Sequence, residues 1–152
     1  MSRAERAKEY FIQGYNCSQA VTLAFSDLTG VDEATLSKLT LPFGGGLGRL
    51  RLTCGAISGM AIVIGLIFGE GKPDSESKKK TYAIMQELCG EFKAENGSLI
   101  CEELLTGANL KVQVGGEAEA RTAEYYKKRP CAELVYNAAD ILETYLSKKG
   151  IC

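Results

Sequence analysis

Apolar side chains recur at helical spacing along most of this chain. In the first segment Ala7, Tyr10 and Phe11 follow that spacing, which predicts a helix over residues 2–13. Asn16 is a favoured capping residue and predicts the start of a second helix. Asp32 likewise predicts a short helix that runs to about Leu39. The other helices predicted by periodicity and capping after the first are 16–28, 53–68, 75–95, 98–105, 117–128 and 130–148.

Residues 44–48 are mostly glycine and precede an apolar helix that starts near Thr53. Because glycine loses the most backbone entropy on ordering, this stretch predicts a tight loop. We interpret the loop, with Arg49 and Arg51, as a structural hinge rather than an anion cradle, since no strand precedes it and no phosphate-loop spacing is present. Small residues at the helix start, such as Gly55, would let another backbone or sulfur come close.

The helix after the glycine loop is predicted to be the core of the fold. Its apolar run 56–68 covers 13 residues, whereas a membrane-spanning helix needs about 20. The alternating segment 109–116 has no partner strand and is predicted to be a loop. With no repeat or linker, the sequence predicts an all-α, single-domain helical bundle over 1–152 with about six or seven helices.

The net charge of the chain excludes some classes of binding partner. The 18 basic and 19 acidic residues give a formal net charge of −1, which offers no broad field for nucleic acid or an anionic membrane. We therefore predict no nucleic-acid and no membrane partner. The charged, amphipathic start of the chain lacks the apolar core of a secretory signal, so we expect a cytoplasmic protein.

The chain contains no histidine. This composition excludes Ser-His and Cys-His nucleophile pairs, most catalytic zinc sites and histidine-ligated haem. The reactive side chains that remain are six cysteines. In a reducing compartment, cysteines at this density are more often redox-active or metal-binding than joined in structural disulfides.

Four cysteines fall in the first turn of separate predicted helices: Cys17, Cys54, Cys101 and Cys131. If those helix starts converge, the four sulfurs share one electropositive pocket. Unpaired N–H groups and the helix dipole favour the thiolate there, so we expect a lowered pKa, above all at Cys54. Cys89, inside a helix, and Cys152, at the end of the chain, are left out of this predicted site.

The residues around these four cysteines form a specific pattern. They are Cys17 in NCSQA, Cys54 after the glycine loop, Cys101 in LICEELL and Cys131 in RPCAELVYNAADIL. Together they resemble the redox-active family named for its cysteines, C_GCAxxG_C_C, over almost the whole chain. Its second cysteine lies in a CGAxxG element, matched here by CGAISG at 54–59. The resemblance implies a small helical bacterial or archaeal protein with a redox role.

Two classes of function follow from the cysteines. In the first, Cys54 attacks an oxidised partner and Cys17 or Cys131 resolves the mixed disulfide, with a redox partner protein or a small thiol as co-reactant and no cofactor required. In the second, Cys17, Cys54, Cys101 and Cys131 hold an iron–sulfur cluster or zinc.

Neither class has its usual local motif. The closest cysteines are 12 residues apart, whereas small metal sites usually include a pair separated by two to four residues, and the chain has no CxxC. We favour the thiol-disulfide interpretation. A helical interaction protein with inert cysteines is a third alternative, and the sequence leaves open whether the chain forms a homo-oligomer.

Overall fold

Ten α-helical segments and one 3-10 turn make up the computed structural model, which describes residues 1–152. The segments are α1 (Arg3–Ile12), α2 (Cys17–Leu23), α3 (Ser26–Thr29), α4 (Glu33–Thr40), α5 (Gly44–Leu47), α6 (Gly55–Phe68), α7 (Ser75–Asn96), α8 (Cys101–Gly107), α9 (Ala123–Lys128) and α10 (Cys131–Lys148). A single antiparallel bridge and no sheet accompany them. The predicted all-α class is confirmed.

Polar side chains cap the helices that the sequence predicted most clearly. The Asn16 side chain accepts from the Gln19 N–H, and the Gln19 side chain accepts from the Asn16 N–H, both at 3.0 Å. This capping box satisfies two helix-start donors and fixes the beginning of α2. Asp32 and Asp74 cap α4 and α7 in the same way with one side-chain oxygen each.

Three predicted helices differ from the structure, and the predicted loop 44–48 contains the short segment α5, which is kinked at Gly45 and Gly46. The predicted helix 16–28 breaks at Phe25, whose backbone leaves the helical region while its ring is fully buried. The predicted helix 98–105 begins at Cys101, because the residues before it pair with another segment of backbone. The predicted helix 117–128 shortens to α9, since Arg121 is held by carbonyls at the end of α1. Tertiary contacts therefore override local propensity at these points.

The core is built around α6, as its apolar composition predicted. This helix packs against α2, α7 and α10, and α1 packs against α2 and α10. Met60, Val63 and Ile64 of α6 are buried in one cluster with residues of the other helices, including Leu142. No helix in the fold combines the length and apolarity that crossing a bilayer requires.

Candidate functional site

A cavity of about 340 Å³ is lined by all four of the predicted site cysteines. Cys17 is the first residue of α2, Cys54 directly precedes α6, and Cys101 and Cys131 are the first residues of α8 and α10. The structure thus brings four helix starts to one place. Neither Cys89 nor Cys152 lines this cavity.

Backbone pairing places Cys54 beside Cys101. A short antiparallel bridge joins Thr53 to Ile100, directly before the two cysteines concerned. The Cys101 N–H donates to the carbonyl of Leu52 at 2.6 Å, which fixes the start of α8 against the start of α6. Sequence reasoning missed this contact, because a pairing of two or three residues leaves no periodic signal.

Glycines, which have no side chain, let other parts of the chain come close to the backbone around the cysteines. A methyl group on Gly55 would overlap the Cys17 sulfur, and one on Gly46 would lie 2.7 Å from the Cys101 Cβ. Gly59, one turn further into α6, would meet the Ser18 carbonyl at 2.7 Å. The expected close approach at the start of α6 is confirmed.

Burial, rather than the helix start, decides the ionisation of Cys54. Burial raises the pKa of the Cys54 thiol well above its ordinary value, and charge on the Cys17 sulfur raises it further, while the Ala56 N–H lowers it. The residue is only 5% exposed. The predicted lowering of this pKa is wrong, since the loss of hydration outweighs the favourable end of the helix.

The same balance holds at two more of the cysteines. Burial raises the pKa of Cys17, and the Gly45 N–H partly offsets the effect. Burial raises the pKa of Cys131 from 9.0 to about 12; charge on Cys17 adds to the increase, and Arg129 opposes it. At each of these cysteines, charge on a neighbouring sulfur therefore raises the pKa further. The site favours neutral thiols over several thiolates at once.

Cys101 has a different environment. Nη1 of Arg51 lies 3.8 Å from its Sγ, within hydrogen-bond distance for sulfur. Arg51 is itself 5% exposed, and its Nε donates to the Gln113 carbonyl at 2.9 Å. The fold therefore holds the guanidinium in place against the Cys101 sulfur. Cys101 is thus the cluster sulfur with a charged hydrogen-bond donor.

The donor chemistry of four thiols suits zinc or an iron–sulfur cluster. Their arrangement does not, because no three or more cysteine, aspartate or glutamate side chains are grouped so that they could hold a metal ion. We therefore derive no chemical step that uses a metal at Cys17, Cys54, Cys101 and Cys131.

The comparisons with known proteins address the chain as a whole. A family described as "Putative redox-active protein (C_GCAxxG_C_C)" matches residues 15–145, a range that includes all four cavity cysteines. No curated protein and no solved structure matches the chain.

Proposed function

Because the chain belongs to the C_GCAxxG_C_C family of redox-active proteins, we propose that it is a thiol redox protein that exchanges disulfides at the four-cysteine cavity. The observation that carries this proposal is the lining of one cavity by Cys17, Cys54, Cys101 and Cys131. A dithiol–disulfide cycle requires sulfurs that are close together and can be reached by a partner. The four cysteines come from distant parts of the chain and line the same cavity, which supports this proposal.

The first step is assigned to Cys101. Its sulfur contacts the Arg51 guanidinium and its side chain is more exposed than that of Cys54, whose burial raises the pKa of the thiol. After losing its proton to solvent, Cys101 attacks one sulfur of an oxidised partner. A new S–S bond joins protein and partner, and the other partner sulfur leaves and takes up a proton.

Cys17 resolves the mixed disulfide. The charge of Cys101 is felt at Cys17, which supports their proximity. Cys17 loses its proton, attacks the Cys101 sulfur and displaces the second partner sulfur, which takes up that proton. Two protein thiols are thereby oxidised to a disulfide, and one partner disulfide is reduced to two thiols.

Cys54 and Cys131 form the inner part of the cluster. In this proposal the Cys54 thiol exchanges with the Cys17–Cys101 disulfide, so that a Cys17–Cys54 bond forms and the proton of Cys54 passes to Cys101. The packing of Cys17 on Gly55 supports this exchange. Cys131, whose pKa is also raised by charge on Cys17, is the alternative to Cys54 as the partner of Cys17 in the final disulfide. We place the protein in the cytoplasm, where a reducing environment restores the thiols.

A disulfide-mapping experiment tests the proposal. Reduced protein is purified without oxygen, its metal, sulfide and thiol contents are measured, and it is treated with one equivalent of a small disulfide. We expect the loss of two thiols and a disulfide between two of the four cavity cysteines, identified by mass spectrometry. Cys101→Ser should slow the first step by at least about tenfold, while Cys89→Ser, outside the cavity, retains the wild-type rate.

Two results would contradict this assignment. One equivalent or more of bound metal, with the four cysteines resistant to oxidation, would favour the metal-binding alternative. No loss of thiols on treatment with the small disulfide, with no metal bound, would favour a helical interaction protein with inert thiols.

A further inference from the structure

The wall of the cysteine cavity is strongly basic. Its lining includes Arg49, Arg51, Arg121 and Arg129 but one acidic residue, Glu119, which forms an ion pair with Arg129. The chain as a whole has a net charge of −1, so this excess of positive charge is local. A concave wall of this sign concentrates anions from solution.

Two of these arginines already have polar partners within the protein. Arg129 pairs with Glu119, and Arg121 donates to the carbonyls of Phe11 and Tyr15 at 3.0 and 3.1 Å. They contribute charge to the cavity and hold its wall in place. Their nitrogens are therefore not the first candidates for a ligand.

Arg49 is different because its guanidinium lacks partners. Its Nε and Nη2 are buried and make no hydrogen bond. Burying such donors unpaired is unfavourable, and folded proteins rarely leave them so. An anion that accepts from these two nitrogens, as a carboxylate does in a bidentate pair, would remove the penalty.

The glycine loop holds Arg49 and Arg51 in strained backbone conformations. Both residues have left-handed φ values, 65° and 61°. The Arg49 N–H donates to the Gly44 carbonyl and the Arg51 N–H to the Gly45 carbonyl, so the strain is maintained by the loop itself. Strain of this kind concentrates at sites that bind or react.

The Arg49 side chain lies beside Arg51, the residue that contacts the Cys101 sulfur. A methyl on Gly45 would lie 2.9 Å from Cγ of Arg49 and 3.7 Å from Nη1 of Arg51, so both side chains cross the same glycine. Nη1 of Arg51 is in turn 3.8 Å from the Cys101 sulfur. Arg49 and Cys101 line the same cavity, so an anionic group bound to Arg49 would share that cavity with the Cys101 sulfur.

We propose that this cavity binds a low-molecular-weight disulfide that carries a carboxylate, with the carboxylate on Arg49 and a disulfide sulfur facing Cys101. This inference rests on the proposed function and specifies its co-reactant. A cavity of about 340 Å³ lies in the range typical of small-molecule sites. Binding by Arg49 would orient the disulfide for the exchange already described, in which its two sulfurs leave as thiols.

Exchange rates with two matched disulfides test whether the cavity prefers an anionic substrate. Reduced protein is mixed with 3,3′-dithiodipropionate, which is anionic, or with bis(2-hydroxyethyl) disulfide, which is neutral, and each rate is divided by that of free 2-mercaptoethanol. We expect the anionic disulfide to be favoured by roughly tenfold and Arg49→Gln to remove that preference. Arg49→Lys should retain part of it. Arg6→Gln, an equal charge change at an exposed position, should leave it unchanged.

A binding measurement separates this inference from the proposed function. Octanedioate, the carbon analogue of 3,3′-dithiodipropionate, cannot be reduced, and we expect calorimetry to detect its binding to the wild type and its loss in Arg49→Gln. Binding without any thiol exchange would overturn the redox proposal while retaining the anion site. Exchange at equal relative rates for both disulfides, with no octanedioate binding, would overturn the inference and leave the redox proposal standing.

Discussion

At the scale of single residues, two opposing effects act on each cavity cysteine. A helix start favours the thiolate, and loss of hydration favours the thiol. At Cys54 the second effect is larger, so the residue that sequence reasoning selected as nucleophile is the most protected of the four. Arg129, two residues before Cys131, lowers the pKa of that thiol, yet burial still raises it overall.

The raised pKa of Cys131 makes stability depend on pH. Above pH 9 the unfolded chain loses this proton while the folded chain keeps it until about pH 12, so the stability contributed by the neutral thiol is complete below pH 9 and lost as pH rises towards 12. Between pH 9 and about pH 12 we expect the free energy of unfolding of the reduced protein, measured by urea titration, to fall with pH more steeply than that of Cys131→Ser. The difference in slope should be up to about 1.4 kcal/mol per pH unit.

The matched control for this titration is Cys152→Ser, which changes an exposed thiol. It should retain the wild-type slope, because it leaves the buried Cys131 thiol unchanged. Equal slopes in the wild type and Cys131→Ser would show that the buried thiol is not held neutral by the fold.

At the scale of elements, the start of α6 packs closely against the start of α2 because glycines lie at the contact. Gly55 contacts the Cys17 sulfur and Gly59 contacts the Ser18 backbone, so the two helix starts approach more closely than alanine would allow. The same helix also contains Gly65, which is exposed and has nothing within 4 Å of where a Cβ would be. One helix therefore contains both a required glycine and a dispensable one.

This contrast predicts opposite effects of one substitution. Gly55→Ala should destabilise the protein by about 1–3 kcal/mol, because the new methyl overlaps the Cys17 sulfur. Gly65→Ala should stabilise it by about 0.5–1 kcal/mol through helix propensity. Thermal and urea unfolding measure both changes. If both variants were stabilised to the same extent, close packing at Cys17 would not be what Gly55 provides.

At the scale of the whole molecule, one apolar core fixes the positions of the four helix starts. Helix α6 is enclosed by α2, α7 and α10, and the cavity is lined by residues at the starts of α2, α6, α8 and α10. The alignment of the sulfurs therefore depends on side chains distant from them. Leu142 of α10, which is fully buried, belongs to that core.

Truncation in the core should cost far more than truncation at the surface. We expect Leu142→Ala to lower the free energy of unfolding by about 2–5 kcal/mol, since it removes buried methyl groups and leaves a cavity. Leu39→Ala, at a helix position that is 51% exposed, should change it by less than about 0.5 kcal/mol. Urea denaturation followed by circular dichroism measures both, and similar losses would mean that α10 is not part of the cooperative core.

The sequence by itself determined the all-α class, most helix starts and the four cysteines of interest. These features depend on local rules: capping by Asn16 and Asp32, apolar periodicity and the fixed position of each cysteine relative to its cap. The central role of α6 also followed, because an apolar helix too short for a membrane has to be buried.

Only the tertiary structure decided how the sulfurs are used. The bridge between Thr53 and Ile100 joins residues far apart along the chain, so no local pattern encodes it. Burial depends on the surrounding helices, which is why the pKa of Cys54 moved opposite to the helix-start expectation. The same long-range packing placed Arg51 against Cys101 and left Nε and Nη2 of Arg49 without partners, so that residues predicted to form a hinge line a cavity.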